Sequence, residues 1–206
     1  MSDQGQLVPD IQIVILAAGA STRMRGADKL VEPLCGQPLL RHVGQLALGT
    51  GLPVVVTLSA DYPARAAVLE GLDLNPIQVE NAGDGMGASL RAGLSGVPAG
   101  DAIMVLLADM PEIDAADLAA MLAAFRASPL AIHRACNALG VPGHPVIFPP
   151  WARAALMAVA GDTGAKSVLQ AHTQAVRPVT LPGDHATTDL DTPEDWARWR
   201  EGLRTP

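Results

Sequence analysis

Short runs of branched apolar residues recur along the chain, and most of them are separated by segments with helical periodicity. These runs predict buried strands at residues 11–17, 53–58, 77–79, 103–107 and 146–148. An apolar repeat between the last two strands predicts a core-facing helix, capped by Asp114, that contains Leu118, Met121, Leu122 and Phe125. Alternating strands and helices are typical of a mostly parallel sheet with helices on both faces, so the pattern predicts an α/β fold.

The end of the chain predicts one further helix. Thr192, Pro193 and Asp195 have the spacing of a capping box. The apolar residues that share a face of this helix are Trp196, Trp199 and Leu203. Because no internal repeat or convincing linker interrupts the chain, we expect one domain over residues 1–206.

Composition narrows the class of protein. The net charge of −7 argues against a nucleic-acid-binding protein. Hydrophobic residues make up 49% of the chain, but no segment approaches the roughly 20 apolar residues of a membrane-spanning helix. A secretory signal would require a basic residue near its start, and no basic residue precedes Arg23. Cys35 and Cys136 do not lie at metal-ligand spacing. We therefore expect a cytoplasmic protein without nucleic-acid or membrane partners.

The first predicted strand leads directly into a loop rich in hydroxyl and basic side chains. Gly19 permits a tight turn that presents backbone N–H groups to an anion, and Ser21 adds a short donor. The cations suited to a triphosphate are Arg23, Arg25 and Lys29. The loop has neither a Walker ending nor a G-x-G-x-x-G fingerprint, so it predicts a phosphate-binding loop of another type, with an ordinary solvated turn as the alternative.

Acidic residues at two places have the chemistry of magnesium ligands. Asp109 follows the strand at 103–107, at the edge where open α/β sheets bind ligands. Asp189 and Asp191 alternate around Leu190 and therefore point to one side of an extended segment, where one of them is a candidate second ligand. The alternatives are a turn before proline for Asp109 and a helix cap for Asp191.

Two glycine-bearing segments complete the candidate site. Residues 81–94 place three glycines before a short predicted helix, whose N-terminus favours the polar groups of a nucleotide, although glycines also form flexible turns. Residues 140–148 place His144 between Gly143 and Pro145 at the start of a strand, where a ligand can approach the backbone closely. A lone histidine is also often structural.

Four separated motifs resemble those of the nucleotidyltransferases that attach a nucleotide to molybdopterin cofactors, and most closely the molybdenum cofactor cytidylyltransferases. They are LAAGASTRM at 16–24 with Lys29, ADMP at 108–111, PGHPV at 142–146 and DLDTPED at 189–195. They occur in the family's order and span nearly the whole chain. The resemblance implies a Rossmann-like three-layer α/β/α nucleotidyltransferase fold. It also implies Mg²⁺-dependent transfer of a nucleoside monophosphate to the cofactor's terminal phosphate, with release of pyrophosphate.

The resemblance further implies roles for the matching positions. Catalysis would depend on Arg23, Lys29 and Asp109, the metal would be held by Asp109 and Asp191, and Gly143 and His144 would lie toward the molybdopterin acceptor. The implied nucleotide-binding residues are Leu16, Ala17, Ala18, Gly19, Ser21, Arg23, Lys29, Asn81, Gly85 and Ser89. A molybdoenzyme or its chaperone is the implied recipient of the product.

The first loop also carries the features that distinguish CTP from GTP. Ala18 resembles the cytidylyl branch, because its methyl group narrows the space beside the base, whereas the guanylyl branch resembles L-A-G-G here. The six steps from Arg23 to Lys29 look more like the guanylyl branch, because many cytidylyl members have one step fewer. CTP is favoured because three features agree with the cytidylyl branch: Ala18, Asp189 and the GHP sequence. GTP is the alternative.

Three other functions remain open. A related pyrophosphorylase acting on a sugar phosphate or alcohol phosphate shares the early loop and the metal carboxylate but builds a different acceptor site. A nonenzymatic carrier binds molybdopterin without consuming nucleotide. A degenerate structural paralogue binds neither ligand, and the intact set of Lys29, Asp109 and Asp191 argues against it.

Overall fold

The computed structural model describes residues 8–202, so Leu203 of the predicted terminal helix lies outside the described residues. The strands are β1 (Ile11–Leu16), β2 (Pro33–Leu34), β3 (Gln37–Pro38), β4 (Val54–Leu58), β5 (Asn75–Gln78), β6 (Ala102–Leu107), β7 (Ile132–Cys136), β8 (Pro142–Phe148) and β9 (Val176–Thr180). The α-helices are α1 (Leu39–Leu48), α2 (Pro63–Val68), α3 (Met86–Ser95), α4 (Ala115–Ala127), α5 (Arg153–Met157), α6 (Lys166–Ala171) and α7 (Pro193–Gly202).

Seven of the strands form one sheet in the order β5-β4-β1-β6-β8-β7-β9, and β2 and β3 form a separate hairpin. β1 pairs in parallel with β4 and β6, and β4 pairs in parallel with β5. β8 runs antiparallel to both β6 and β7, and β9 is parallel to β7. The sheet is therefore mostly parallel, which confirms the predicted α/β fold class.

Each face of the sheet has its own apolar core because side chains alternate along β1. Ile13 and Ile15 are fully buried on one face, in a core that includes Leu39 of α1, Leu118 and Phe125 of α4, and Trp196 of α7. Val14 is fully buried on the other face, in a core that includes Leu90 of α3, Leu156 of α5 and Leu169 of α6. Helices therefore cover both faces, as expected for a Rossmann-like three-layer fold.

Both predicted helix starts are confirmed. Asp114 caps α4 by accepting a hydrogen bond from the backbone of Asp117 at 2.9 Å, and the side chain of Asp117 accepts one from the backbone of Asp114 at 3.0 Å. At the start of α7, Thr192 Oγ1 accepts a hydrogen bond from the backbone of Asp195 at 3.1 Å. Reciprocal bonds of this kind satisfy the free N–H groups of the first helical turn.

β7 and β9 were not predicted from the sequence. β7 contains His133 and Arg134, and β9 is only partly buried and contains Arg177 and Pro178, so neither forms a clean apolar run. Among the helices of residues 8–202, none combines the length and the apolar character needed to span a bilayer. The single-domain organisation of residues 1–206 stays a prediction.

Candidate active site

The carboxyl ends of β1 and β6 bring two predicted motifs together. The strands are parallel neighbours whose last residues, Leu16 and Leu107, are paired, so the loop after β1 and Asp109 after β6 lie at the same edge of the sheet. The backbone N–H of Leu190 donates a hydrogen bond to the carbonyl oxygen of Asp109 at 3.2 Å, which brings the segment before α7 to this edge.

Three carboxylates meet at that edge around one lysine. Asp109, Asp189 and Asp191 each offer a carboxylate oxygen, and these oxygens lie within 4.8 Å of one another. Lys29 Nζ lies 2.5 Å from Asp109 Oδ2 and 2.5 Å from Asp191 Oδ1, while Arg23 Nη2 lies 2.7 Å from Asp191 Oδ2. The Lys29 side chain is only 13% exposed, so solvent screens its two ion pairs weakly.

Burial and neighbouring charges affect these groups differently. Burial, followed by the negative charges of Asp191 and Asp109, raises the pKa of Asp189. Burial also acts to raise the pKa of Asp191, but the hydrogen bond and charge of Lys29, together with the charge of Arg23, outweigh it and lower that pKa. Burial acts to lower the pKa of Lys29, yet the two carboxylates raise it, so this lysine stays protonated.

The donor set fits a hard divalent cation. Carboxylate oxygens are the ligands that Mg²⁺ takes, usually with water and phosphate oxygens completing its shell. The raised pKa of Asp189 has burial as its largest cause and the repulsion of Asp191 and Asp109 after it, and a bound cation would relieve this repulsion. Asp109, Asp189 and Asp191 are therefore the described residues suited to hold a metal ion at this edge.

A buried arginine fixes the loop after β1. Arg65, the third residue of α2, has no exposed side-chain surface, and its Nη1 donates to the carbonyl oxygens of Ala17 at 2.7 Å and Gly19 at 2.8 Å. Its Nε and Nη2 bind the two carboxylate oxygens of Asp28, each at 2.8 Å. The guanidinium thus joins both ends of the loop through a bidentate ion pair and two carbonyl groups.

Ser21 also belongs to this internal network. Its hydroxyl donates to Asp28 Oδ1 at 3.0 Å and accepts from Arg65 Nη2 at 3.1 Å and from the backbone of Lys29 at 3.3 Å. The residue is 6% exposed. The structure places the Ser21 hydroxyl in the network that supports the loop, and nucleotide binding by Ser21 stays a prediction.

The loop bends at Gly19, where a tight turn was predicted, and turns a second time at Arg25 and Gly26. The left-handed backbone lies at this second turn, with φ 54° at Arg25 and φ 97° at Gly26. Gly19 is exposed and accepts a hydrogen bond from Arg65. The backbone N–H of Ala17 donates to Thr57 Oγ1 at 3.3 Å, so that group is already paired.

Ala18 links the first loop to the segment before α3. Its buried side chain forms a small apolar cluster with Val79 and Ala88. This cluster brings Ala18 next to the segment that contains the predicted residues Asn81, which is exposed, Gly85, at φ 90°, and Ser89, which is buried on α3. Nucleotide contacts by these residues stay predictions.

His144 lies at the same edge because β8 runs opposite to β6. Antiparallel pairing of Val146 with Val105 places the beginning of β8 near the end of β6. Burial, followed by the positive charge of Arg134, lowers the pKa of His144 to about 4, so its ring is neutral at neutral pH. A Cβ at Gly143 would overlap the carbonyl oxygen of Ala186, so close approach of the chain accounts for this glycine. A role for either residue toward the acceptor stays a prediction.

A cavity of about 580 Å³ opens beside His144. Apolar side chains from β1, β6, α3, α6 and β9 form part of its wall: Leu16, Val105, Met86, Leu90, Leu169 and Val176. Arg134, His144 and Lys166 lie among them. Its volume falls within the range of about 300–1,000 Å³ typical of small-molecule sites.

The chain is similar to part of some known proteins and to nearly the whole length of others. The chain is 36% identical over 110 residues to the bifunctional protein GlmU of Agrobacterium fabrum, covering 51% of this chain but only 24% of GlmU. It is 27% identical over 201 residues to nicotine blue oxidoreductase of Paenarthrobacter nicotinovorans, covering 93% of this chain and 97% of the relative. The Rv0371c structure from Mycobacterium tuberculosis H37Rv has a TM-score of 0.82 at 27% identity, covering 94% and 99% of the two chains. Rv0371c is also known as a complex with manganese.

A family profile, the MobA-like NTP transferase domain, matches residues 13–176. The chain belongs to this family. As a MobA-like NTP transferase domain, it has the nucleotidyltransferase fold that its motifs implied.

Sequence reasoning located one part of this MobA-like NTP transferase site and missed another. Arg23, Lys29, Asp109, Asp189 and Asp191, all singled out in advance, do come together. Arg65 and Arg134 were missed. Neither lies in a recognisable motif, and a single arginine in a helix or strand gives no sign of what it contacts.

Proposed function

We propose that this protein transfers CMP from CTP to the terminal phosphate of molybdopterin or molybdenum cofactor, in a Mg²⁺-dependent reaction that releases pyrophosphate. The observation that carries the proposal is the cluster of Lys29 with Asp109 and Asp191 at the carboxyl edge of the sheet. A partly buried lysine between carboxylates is suited to exchange carboxylate for phosphate oxygens when a nucleotide arrives. The choice of molybdopterin rests on the four ordered motifs.

The reaction requires little covalent assistance from the protein. An ionised oxygen of the acceptor phosphate bonds to the α-phosphorus, and the bond from that phosphorus to the oxygen bridging to the β-phosphate breaks. Pyrophosphate leaves with the bonding electron pair. Because the attacking oxygen is already ionised, no general base is needed, and positioning with charge neutralisation supplies the catalysis.

The charged side chains have separate tasks in this scheme. Lys29 and Arg23 neutralise the charge that develops on the triphosphate. Asp109 and Asp191, with Asp189 beside them, hold the cation. A divalent metal ion bound by these carboxylates supplies further neutralisation of phosphate charge and orients the triphosphate.

CTP is the proposed nucleotide, and Ala18 is one of the residues that favour it. The residue is 1% exposed, and its methyl group packs with Val79 and Ala88 next to the segment proposed to receive the base. The choice of CTP over a purine nucleotide rests on the resemblance of Ala18, Asp189 and the GHP sequence to the cytidylyl branch. GTP is the alternative that the spacing between Arg23 and Lys29 favours.

Pyrophosphate release tests the proposal. Purified protein is assayed with Mg²⁺ and molybdopterin, with CTP or GTP at equal concentration, and with acceptor omitted as a control. We expect release with CTP only. Asp109→Asn is expected to lower turnover by about 100-fold or more while the protein stays folded.

The matched control is Asp73→Asn, which neutralises an exposed carboxylate before β5 and should leave turnover unchanged. Preference for GTP would overturn only the choice of nucleotide. Release with a sugar phosphate but not with molybdopterin would overturn the acceptor. Full activity of folded Asp109→Asn would contradict the metal site. The name of the full-length Paenarthrobacter relative, nicotine blue oxidoreductase, makes oxidoreductase activity without pyrophosphate release the rival result.

A further inference from the structure

The cavity beside His144 contains two basic side chains in a wall of mixed apolar and polar residues. Arg134 projects from β7 and Lys166 from α6. Neither forms an ion pair with a carboxylate within the part of the chain that the structure describes. His144 is neutral, so the positive charge at this cavity comes from Arg134 and Lys166.

Arg134 is held in place without having its charge balanced. Its Nε donates to the carbonyl oxygen of Gly143 at 3.2 Å, and Nη2 lies 3.5 Å from the carbonyl oxygen of Pro142. Burial lowers the pKa of Arg134, because a half-buried cation loses part of its hydration. A guanidinium that is partly dehydrated, fixed by backbone groups and lacking a counter-ion is prepared to bind an anion.

The charges at the neighbouring carboxylate cluster show why a second cationic site is needed. Lys29 binds Asp109 and Asp191, and Arg23 binds Asp191. Two cations therefore face three carboxylates, including Asp189, before any triphosphate enters. When a divalent cation and a triphosphate are both bound, the negative charge of the triphosphate exceeds the charge of the cation, so this edge repels an acceptor phosphate unless other cations receive it.

We propose that Arg134 and Lys166 form the binding subsite for the phosphate group of the acceptor, while the apolar wall of the cavity packs against the acceptor's ring system. This proposal rests on the proposed function, because it assigns a phosphate acceptor to the same site. Arg134 binds the phosphate through its guanidinium fork and Lys166 adds a second charge. Leu16 and Val105, on the strands that lead to the carboxylate cluster, place the subsite beside the transfer site.

Phenyl phosphate is a direct probe, because it carries a phosphate dianion on an apolar ring and requires no turnover. Its binding is measured by calorimetry against wild-type protein, with benzyl alcohol as the uncharged comparison. Arg134→Met and Lys166→Met should each weaken binding by about 10-fold or more, the effect of one charge-assisted hydrogen bond, and Arg134→Lys should recover part of the loss. Binding of CTP should remain unchanged in all three variants.

Arg177→Met is the matched control. Arg177 lies on β9, donates to the backbone carbonyl groups of Gln174 and Val176, and lines a different pocket, so its removal should not change phenyl phosphate binding. In the transfer assay, Arg134→Met should raise KM for the acceptor about 10-fold with little change in KM for CTP.

The outcomes separate this proposal from the proposed function. Equal phenyl phosphate affinity in wild type and both methionine variants overturns the subsite, as does a lack of saturable binding to wild type or competition with CTP for one site. Binding that depends on Arg134, in a protein that releases no pyrophosphate with molybdopterin, supports the subsite while overturning the proposed acceptor.

Discussion

Arg65 is the residue on which the shape of the first loop most depends. It is fully buried, and its hydrogen bonds to Asp28, Ala17 and Gly19 replace the water that the guanidinium loses. A buried ion pair of this kind is costly to break from one side, because the remaining charge is left without compensation. We therefore regard Arg65 as a positioning residue for the loop that carries Arg23 and Lys29.

Arg65→Met should lower the free energy of unfolding by about 3 kcal/mol. Arg65→Lys should be intermediate, because lysine keeps the charge but cannot bind both oxygens of Asp28 and two carbonyl groups at once. Urea denaturation measures both changes. The double variant Arg65→Met with Asp28→Asn should be less destabilised than Arg65→Met alone, and strictly additive losses would contradict a coupled pair.

At this scale, prediction from sequence depended on whether a residue lay in a motif. Three site residues were predicted because each belongs to a motif beside a predicted strand or helix: Lys29, Asp109 and Asp191. Arg65 was missed because the groups it binds lie 37 to 48 positions earlier in the chain. Local sequence does not show whether the Ser21 hydroxyl faces a ligand or a buried arginine, and the structure shows it bonded to Asp28 and Arg65.

Among the elements, β8 has one unusually close contact near its start, with the segment before Asp189. The backbone N–H of His144 donates to the carbonyl oxygen of Ala186 at 2.9 Å, and Gly143 passes so near that any side chain would overlap that oxygen. The contact holds the segment before Asp189 against the start of β8. Packing at this point therefore affects both the cavity and the carboxylate cluster.

Gly143→Ala should destabilise the protein by about 2 kcal/mol, because the added methyl group must displace residues 184–187. Gly100→Ala is the control, since a Cβ there has no neighbour within 4 Å. Thermal unfolding compares the two variants. Equal stability of the two variants would show that the segment before Asp189 moves aside without cost, which would contradict the prediction.

Strands were predicted correctly where the sequence contains a continuous apolar run. β1, β4 and β6 are buried apolar runs, and they were predicted within a residue or two of their ends. β7 and β9 were missed because their polar side chains hide the alternation, and their existence depends on pairing with each other and, for β7, with β8. That pairing is a tertiary effect that a local pattern does not contain.

For the whole molecule, we expect surplus negative charge at the carboxylate cluster to oppose folding and a divalent cation to relieve that effect. The pKa of Asp189 is raised in the folded state, so ionisation of this group opposes folding as pH rises through that pKa. Asp189→Asn should therefore raise Tm at neutral pH without metal, by about 2 °C. It should also reduce the increase in Tm that Mg²⁺ or Mn²⁺ produces.

Thermal shift assays with and without EDTA measure both effects. Asp73→Asn serves again as the control, because it removes one negative charge far from the cluster. An equal metal response in Asp189→Asn and wild type would exclude Asp189 from the metal site. A lower Tm for Asp189→Asn without metal would contradict the repulsion inferred among the three carboxylates.

The reversal of β8 brings residues from two separate stretches of the chain to the same edge of the sheet. Most residues proposed to handle the nucleotide precede residue 110, whereas the polar wall of the cavity comes from residues 134–173. Substitutions within residues 134–173 are therefore expected to change which acceptor binds while the proposed nucleotide contacts stay in place. The two specificities of the proposed enzyme can then be altered separately by mutation.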